Sequence, residues 1–307
     1  MDKSSGHLVA LTGATGFLGR SVVRELSASP THHIRALTRR PKTTIDVDWV
    51  EGDLDTLPAL TQLCQGADTL IHIAGLTKAR TLKHLLDVNE KGTASLVEIA
   101  RKAGVKRFII ISSIAAREPH LSHYANSKHA GEEAARAQCG DMELLIIRPP
   151  AIIGPGDDAI KPMLDILKRG YLPAPAGRAG KEGKMAFVYV DDVARFIVSC
   201  ISAKIDRQTL TPYGAPPVTT WQSLAEDAAK ALARPVKVVP IAPSLLKIAA
   251  FLAEIVNSML FRSGFFNSGK VRELLHPDWT GDTEIGGSRS LQDAFELTFH
   301  LNSLEEK

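Results

Sequence analysis

The chain has 307 residues, enough to bury a sizeable core, and its 44% hydrophobic and 23% charged composition is that of an ordinary globular protein. A formal charge of +3 with no basic run argues against a nucleic-acid partner. Cys64, Cys139 and Cys200 lie far apart with no Cys-x-x-Cys pair, which points to free buried thiols in a reducing compartment rather than to a metal site or a disulfide framework.

Met1 to His7 is short and polar and lacks the charged start, apolar stretch and cleavage site of a secretory signal, so a cytoplasmic location is expected. Apolar runs then predict strands at Leu8–Leu11, Ile34–Leu37, Val47–Val50, Thr69–Ile73, Arg107–Ile111 and Leu144–Ile147. Amphipathic stretches between most of them predict helices at Gly19–Ser27, Leu57–Gln65, Val88–Ala103 and Tyr124–Cys139. Strands too apolar to alternate, joined by helices, are the pattern of an α/β fold: a Rossmann-type parallel sheet, doubly wound, with ligands at the carboxyl ends of its strands.

The first predicted strand runs into Gly13-Ala14-Thr15-Gly16-Phe17-Leu18-Gly19 and then a helix. Gly13 would permit the sharp turn, Gly16 the approach of backbone to a pyrophosphate, and Gly19 the packing of helix on strand. The helix N-terminus adds free N–H groups and a positive dipole end. The second strand ends in Thr38-Arg39-Arg40, with no acidic residue between Ile34 and Asp46. A carboxylate there would bond the ribose 2′-hydroxyl of NAD, whereas Arg39 and Arg40 suit the 2′-phosphate of NADP(H), so NAD(H) is the less favoured cofactor. Gly52-Asp53-Leu54 follows the third strand, where Asp53 would accept from the adenine amino group or cap a helix.

Arg107–Ile111 ends in Ser112-Ser113, and Tyr124-Ala125-Asn126-Ser127-Lys128 follows. Tyr124 and Lys128, four apart, share one side of a helix. An ammonium there is expected to lower the tyrosine pKa, making it an acid/base near neutrality, and to bond the nicotinamide ribose. Successive strand residues face opposite ways, so one of the two serines would polarise a substrate carbonyl. His120 and His123 read as loop and helix-start residues.

After Pro149 the pattern changes. Gly154–Asp158 and Tyr171–Gly183 are rich in Gly and Pro and predict long loops, Phe187–Val190 a strand and Val193–Ser202 a helix. Beyond Thr211 two helical stretches and a polar tail are expected. Ile241–Phe261 is long and apolar, but Pro243, Lys247, Glu254 and Asn257 interrupt it, so it reads as a buried or cap helix and not as a transmembrane segment.

The glycine turn, the strand-end serine and Tyr-x-x-x-Lys together resemble the short-chain dehydrogenase/reductase family. Its extended branch is indicated by Ile71-His72-Ile73-Ala74-Gly75, Val88-Asn89-Glu90-Lys91-Gly92-Thr93, Arg148-Pro149-Pro150-Ala151-Ile152-Ile153-Gly154-Pro155-Gly156-Asp157 and Phe187-Val188-Tyr189-Val190-Asp191-Asp192-Val193-Ala194. The match runs from about residue 8 to about residue 200 in the family's order. The resemblance implies hydride transfer between nicotinamide and a carbonyl or carbinol carbon. It makes Ser113 rather than Ser112 the serine that orients the oxygen, Tyr124 the proton donor and acceptor, and Lys128 the residue that tunes Tyr124 and holds ribose. Asn89 matches the asparagine that helps hold a proton-relay water in the family. The implied cofactor site is Gly13, Thr15, Gly16, Phe17, Leu18, Gly19, Arg39, Arg40, Asp53, Leu54, Ala74, Gly75, Tyr124, Lys128 and Pro149. Residues 1–152, with 186–210 returning, would form the NADP-binding domain, and 153–185 with 211–307 the substrate-binding region.

Within the family, the sequence departs from nucleotide-sugar enzymes. Ile114-Ala115-Ala116 stand where dehydratases carry adjacent acids, Ala151 where Asn is common, and Met185-Ala186 where Arg precedes the strand. These departures and the apolar segment Ile241–Phe261, either a substrate lid or a membrane-surface contact, favour an uncharged, apolar small-molecule substrate. A nucleotide-sugar epimerase is the alternative, with Arg178, Lys181 and Lys184 available for phosphate. A non-catalytic NADP-binding sensor is the second alternative, disfavoured because the Tyr/Lys pair is kept. A homodimer is left open.

Overall fold

The computed structural model describes residues 6–40, 47–157, 159–259, 264 and 266–305. Asp46, Asp158 and Phe261, which bound segments discussed above, lie outside them. In the first half the strands are β1 (His7–Thr12), β2 (His32–Thr38), β3 (Val47–Glu51), β4 (Thr69–His72), β5 (Arg107–Ile111) and β6 (Glu143–Ile147). The helices between them are α1 (Phe17–Ser27), α2 (Leu57–Cys64), α3 (Leu82–Leu86), α4 (Gly92–Lys102) and α5 (His123–Gln138). The second half holds β7 (Ala151–Ile153), α6 (Lys161–Lys168), β8 (Tyr171–Pro175), α7 (Arg178–Glu182), β9 (Lys184–Met185), β10 (Phe187–Tyr189), α8 (Val190–Ser199), β11 (Gln208–Leu210) and β12 (Pro212–Tyr213). It closes with α9 (Trp221–Ala231), β13 (Lys237–Ile241), α10 (Pro243–Met259), α11 (Ser268–Leu275), β14 (Asp278–Trp279), β15 (Thr283–Glu284) and α12 (Leu291–Glu305).

Seven strands form one parallel sheet in the order β11-β6-β5-β4-β1-β2-β3. Its strands are apolar on both faces because both are covered. Val9, Leu11, Ile109, Ile111, Leu145 and Ile147 join the core under α1 and α8, while Ala10, Phe108, Ile110, Leu144 and Ile146 join the core under α2, α4 and α5. Helix α1 buries Leu18, Val22 and Leu26 at fourfold spacing and packs against α8. The strand order reverses between β1 and β4, and the crevice this leaves at their carboxyl ends receives the glycine turn, the end of β4 and the start of α5.

Strand β11 belongs to this sheet, pairing with β6, so the chain returns to it after leaving at Pro149. The rest of the second half is built on two-stranded parallel pairs, β7 with β10, β8 with β13, β9 with β14 and β12 with β15. Asp192 at the start of α8 is fully buried and accepts from the backbone N–H of Arg289 at 2.7 Å, tying the approach to α12 onto the core.

Three expectations are corrected here. Tyr171–Gly183 is not a loop, because Tyr171–Pro175 is a strand and Arg178–Glu182 a helical turn. Its prolines fit a strand that pairs on one side only, as β8 does with β13. Among the described residues the region beyond Thr211 contains four helices, and the polar tail is α12, whose Leu291, Ala294, Phe295 and Phe299 are buried at helical spacing, with α12 packing on α9. Ile241 ends β13, and the helix after it is only half buried: Leu246 and Ala250 pack on Val271 of α11, whereas its other face is exposed. Among the described residues no helix is long and apolar enough to cross a membrane.

Candidate active site

The glycine turn is built by close approach. Gly13 has φ +76°, and a Cβ there would lie 2.6 Å from the Ala74 nitrogen at the end of β4. A Cβ on Gly19 would lie 2.0 Å from the Gly13 carbonyl oxygen, so α1 can sit this close to the turn only without a side chain. Gly16 caps α1 with no side-chain hydrogen bond, and the first turn carries no acid. Thr15 and Gly16 are exposed, Phe17 is partly buried and Leu18 is buried. The turn thus offers uncapped N–H groups and a positive dipole end beside an open backbone, which fits the pyrophosphate of a dinucleotide.

At the end of β2, Arg39 and Arg40 are exposed, and neither guanidinium forms an ion pair among the described residues. The Thr38 hydroxyl donates to the Arg40 carbonyl at 2.7 Å, holding the turn. Asp53 accepts from the Thr56 hydroxyl at 2.7 Å and from the Asp55 N–H at 3.1 Å, so it braces the turn before α2. The Thr56 bond holds its carboxyl below the usual range, with the Arg39 charge adding to the effect. Leu54 is partly buried and faces Gly92 of α4, where a Cβ would sit 3.4 Å away.

On the other side of the crevice β5 presents its two serines to different partners. Ser112 is buried, and its hydroxyl donates to Glu132 at 2.5 Å. Ser113 caps the short helical turn Ile114–Arg117, accepting from the Ala115 N–H at 3.2 Å, and stands beside the Tyr124 hydroxyl. Ile114 N–H donates to the Pro149 carbonyl at 2.9 Å, so Pro149 closes this edge of the site. Helix α5 begins at His123, and Tyr124 and Lys128 share one side of it. The Lys128 ammonium donates to the Ile111 carbonyl at 2.8 Å, and a Cβ on Gly75 would come within 3.7 Å of its nitrogen. The structure therefore pairs Ser113 with Tyr124 and Lys128 with Gly75 along the start of α5, with the Ala74–Gly13 contact next to Gly75. His120 and His123 are exposed, at a loop and at the first turn of α5.

Burial pushes the Tyr124 phenol up to about 12, with Ser113 opposing and the Glu273 charge adding to the rise. The expected lowering by Lys128 is not what the geometry gives. Instead, burial lowers Lys128 to about 8, against a nearby Glu132 that favours its charge.

Several supporting residues carry no local sequence signal or one that was passed over. Glu132 is fully buried, two turns beyond Tyr124 and one beyond Lys128 on the same stripe, and binds Arg148 with both oxygens, at 2.9 and 2.6 Å. Extending the Tyr/Lys spacing by one further turn would have found it. Gly131 lets α5 touch the π-helical turn Asp87–Lys91, since a Cβ there would lie 2.3 Å from the Asn89 carbonyl. Asn89 spends its side chain on protein partners: it accepts from Leu76 N–H and donates to the Leu76 carbonyl and the Ser127 hydroxyl. Its carbonyl accepts from the Thr93 hydroxyl. From there a buried chain runs back to β1, because Thr93 must then accept from His72 Nε2–H, and His72 Nδ1 must accept from Thr12, which itself accepts from Ala74 N–H. Burial holds His72 neutral, at about 3. From α11, Glu273 reaches Ser122, the N-cap of α5, whose hydroxyl donates to it. Arg178, offered above for phosphate, pairs with Glu182 at 2.7 Å.

Residues 9–209 match the NAD dependent epimerase/dehydratase family. The chain belongs to that family, the extended short-chain dehydrogenase/reductases, a group of oxidoreductases and epimerases. A ceramide reductase of Caulobacter vibrioides is 39% identical over 287 residues, covering 91% of this chain and 88% of that protein. A UDP-glucose 4-epimerase of Vibrio cholerae is 28% identical over 225 residues, covering 65% and 68%. The crystal structure of gox2253 shares the fold, with a TM-score of 0.76 at 20% identity over 98% of this chain and 99% of that one. By membership this chain is an enzyme of the NAD-dependent oxidoreductase and epimerase group, and its candidate site lies at the switch point of the Rossmann sheet.

Proposed function

We propose that this enzyme uses NADPH to reduce a ketone on a long-chain amide lipid of the ceramide type, through Ser113, Tyr124 and Lys128. The reaction is supported by one arrangement: the Ser113 hydroxyl stands beside the Tyr124 phenol, and one turn further along α5 the Lys128 ammonium is anchored to the Ile111 carbonyl beside Gly75. The lipid class rests on the Caulobacter relative, together with the loss of the partners that a nucleotide sugar would need.

When bound, the nicotinamide supplies the hydride that reaches the carbonyl carbon. Tyr124, protonated at neutral pH because burial holds its pKa at about 12, donates its proton to the carbonyl oxygen. Ser113 donates a hydrogen bond to that same oxygen and fixes its direction. Lys128, charged below about 8, keeps the site positive while the oxygen gains charge and faces the ribose hydroxyls. Asn89 and the chain through Thr93, His72 and Thr12 position the end of β4, where Ala74 and Gly75 would flank the nicotinamide half. Gly13, Thr15, Gly16, Phe17, Leu18 and Gly19 would hold the pyrophosphate, Asp53 and Leu54 the adenine end, Arg39 and Arg40 the 2′-phosphate, and Pro149 the nicotinamide edge. In this reading 1–152 with 186–210 form the cofactor domain and the remainder receives the substrate.

The test is an assay of the purified protein with NADPH or NADH against an oxidised ceramide in micelles and against nucleotide sugars. Stoichiometric oxidation of NADPH with formation of the lipid alcohol is expected. Inversion at a sugar carbon with no net cofactor consumed would make it an epimerase instead.

A further inference from the structure

Helix α10 exposes Leu245, Ile248, Phe251, Leu252, Ile255 and Val256, each at least 40% accessible. At 100° per residue they fill one continuous arc of the helix. The opposite side carries Leu246, Ala250 and Glu254, which face α11. Glu254 is the only acid on the helix, and it is turned inward, accepting from the backbone N–H and the hydroxyl of Ser268 at 2.7 and 3.0 Å. Lys247, exposed, stands at the border of the apolar arc. On the helix itself this face is apolar at its centre, has one lysine at its edge and carries no acid.

Helix α11 connects this face to the active site. Its Ser268 and Val271 hold α10, whereas its Gly269, Arg272 and Glu273 touch the N-terminus of α5. Arg272 donates to the Leu121 carbonyl at 2.7 Å, a Cβ on Gly269 would lie 2.8 Å from Ser122 Cβ, and Ser122 donates to Glu273. Two residues after Ser122 comes Tyr124. The exposed apolar face of α10 is turned away from α11, and α11 in turn contacts the start of the catalytic helix.

We propose that α10 is a membrane-docking helix: it lies in the surface of a bilayer bearing anionic headgroups and is joined through α11 to the start of the catalytic helix. An interfacial helix presents large apolar side chains on one face with basic rather than acidic residues at its edge, as α10 does with Lys247. The inference rests on the lipid-substrate reading, since an enzyme acting on a bilayer lipid must reach it at the membrane surface. It adds a site that the catalytic geometry does not require.

The experiment is sedimentation of the full chain with vesicles of phosphatidylethanolamine and phosphatidylglycerol, and with vesicles of phosphatidylcholine alone. Wild-type protein pellets with the anionic vesicles, while the combined substitution Ile248→Asp and Leu252→Asp loses binding by about tenfold or more, and Lys247→Glu weakens it in a salt-sensitive way. Because these side chains are exposed and outside the active site, turnover of a short soluble ketone stays at the wild-type level, which also shows that the variants fold. Reduction of vesicle-embedded oxidised ceramide falls with vesicle binding. Wild-type protein that stays in the supernatant overturns the proposal. So does a concentration-dependent dimer that dissociates on Ile248→Asp with Leu252→Asp, which would assign the face to a second copy. Failure of docking with intact turnover of oxidised ceramide in micelles removes this inference alone, and vesicle binding without ceramide turnover removes the substrate reading alone.

Discussion

The Lys128 ammonium donates to the main-chain carbonyl of Ile111 across 2.8 Å, fixing the catalytic helix to the last residue of β5, two before Ser113. Burial holds Lys128 at about 8, below the ordinary 10.5. Between these values the unfolded chain binds a proton that the folded chain has released, so this group's contribution to stability rises with pH across that window. Below about 8 the folded state carries the full cost of the buried charge. Thermal unfolding of cofactor-free protein checks this: wild type should gain stability relative to Lys128→Met as pH rises from about 8 towards 10.5. A constant difference across that range contradicts it.

The two serines should separate cleanly. Ser112→Ala removes a donor from buried Glu132 and should cost about 1–3 kcal/mol of stability with little change in kcat. Ser113→Ala should lower kcat far more than Ser112→Ala does, with a smaller stability loss of about 0.5–2 kcal/mol from the lost cap of Ile114–Arg117. Urea unfolding and steady-state kinetics on both variants decide the matter, and the reverse ordering would mean that the strand end faces the other way.

The reading of the first half from sequence rested on runs such as Arg107–Ile111 and Leu8–Leu11, whose residues are apolar on both faces because helices cover both. The Tyr124/Lys128 pair was legible for a related reason, since helical spacing is local. Glu273 was not, because it reaches Ser122 from 151 residues away and nothing near Tyr124 announces it. The two-stranded pairs of the second half were missed because strands such as β9, β12 and β14 have two residues each, too few for a period. The proline-rich β8 reads as a loop because proline cannot donate within a central strand, yet β8 pairs on one side only and tolerates it. The apolar length of Ile241–Phe261 was visible in the sequence. Which side of it packs is set by Val271 and Ser268, which periodicity alone does not supply.

Arg39 and Arg40 should make NADPH bind more tightly than NADH. A charge-assisted hydrogen bond contributes about 1.5–3 kcal/mol, or about one to two decades in affinity. Fluorescence titration of both cofactors should show that preference in wild type and its loss in Arg39→Ala combined with Arg40→Ala. Equal affinities in wild type would contradict it.

Glu273 raises the Tyr124 pKa by its charge, so Glu273→Gln should move the alkaline limb of the reduction profile to lower pH. Glutamine still offers an oxygen to Ser122, so the α5 cap is kept. The pH–rate profile is the readout, and an unmoved limb would reduce Glu273 to a structural brace.

The most direct measurement of the central claim is single-turnover reduction of oxidised ceramide by NADPH-loaded Tyr124→Phe. This substitution removes the transferable proton with little change of volume. The account predicts NADPH affinity close to wild type and a hydride-transfer rate lower by at least about a hundredfold. A rate near that of wild type, with cofactor bound, would show that the proton comes from elsewhere and that Ser113, Tyr124 and Lys128 are not the catalytic group.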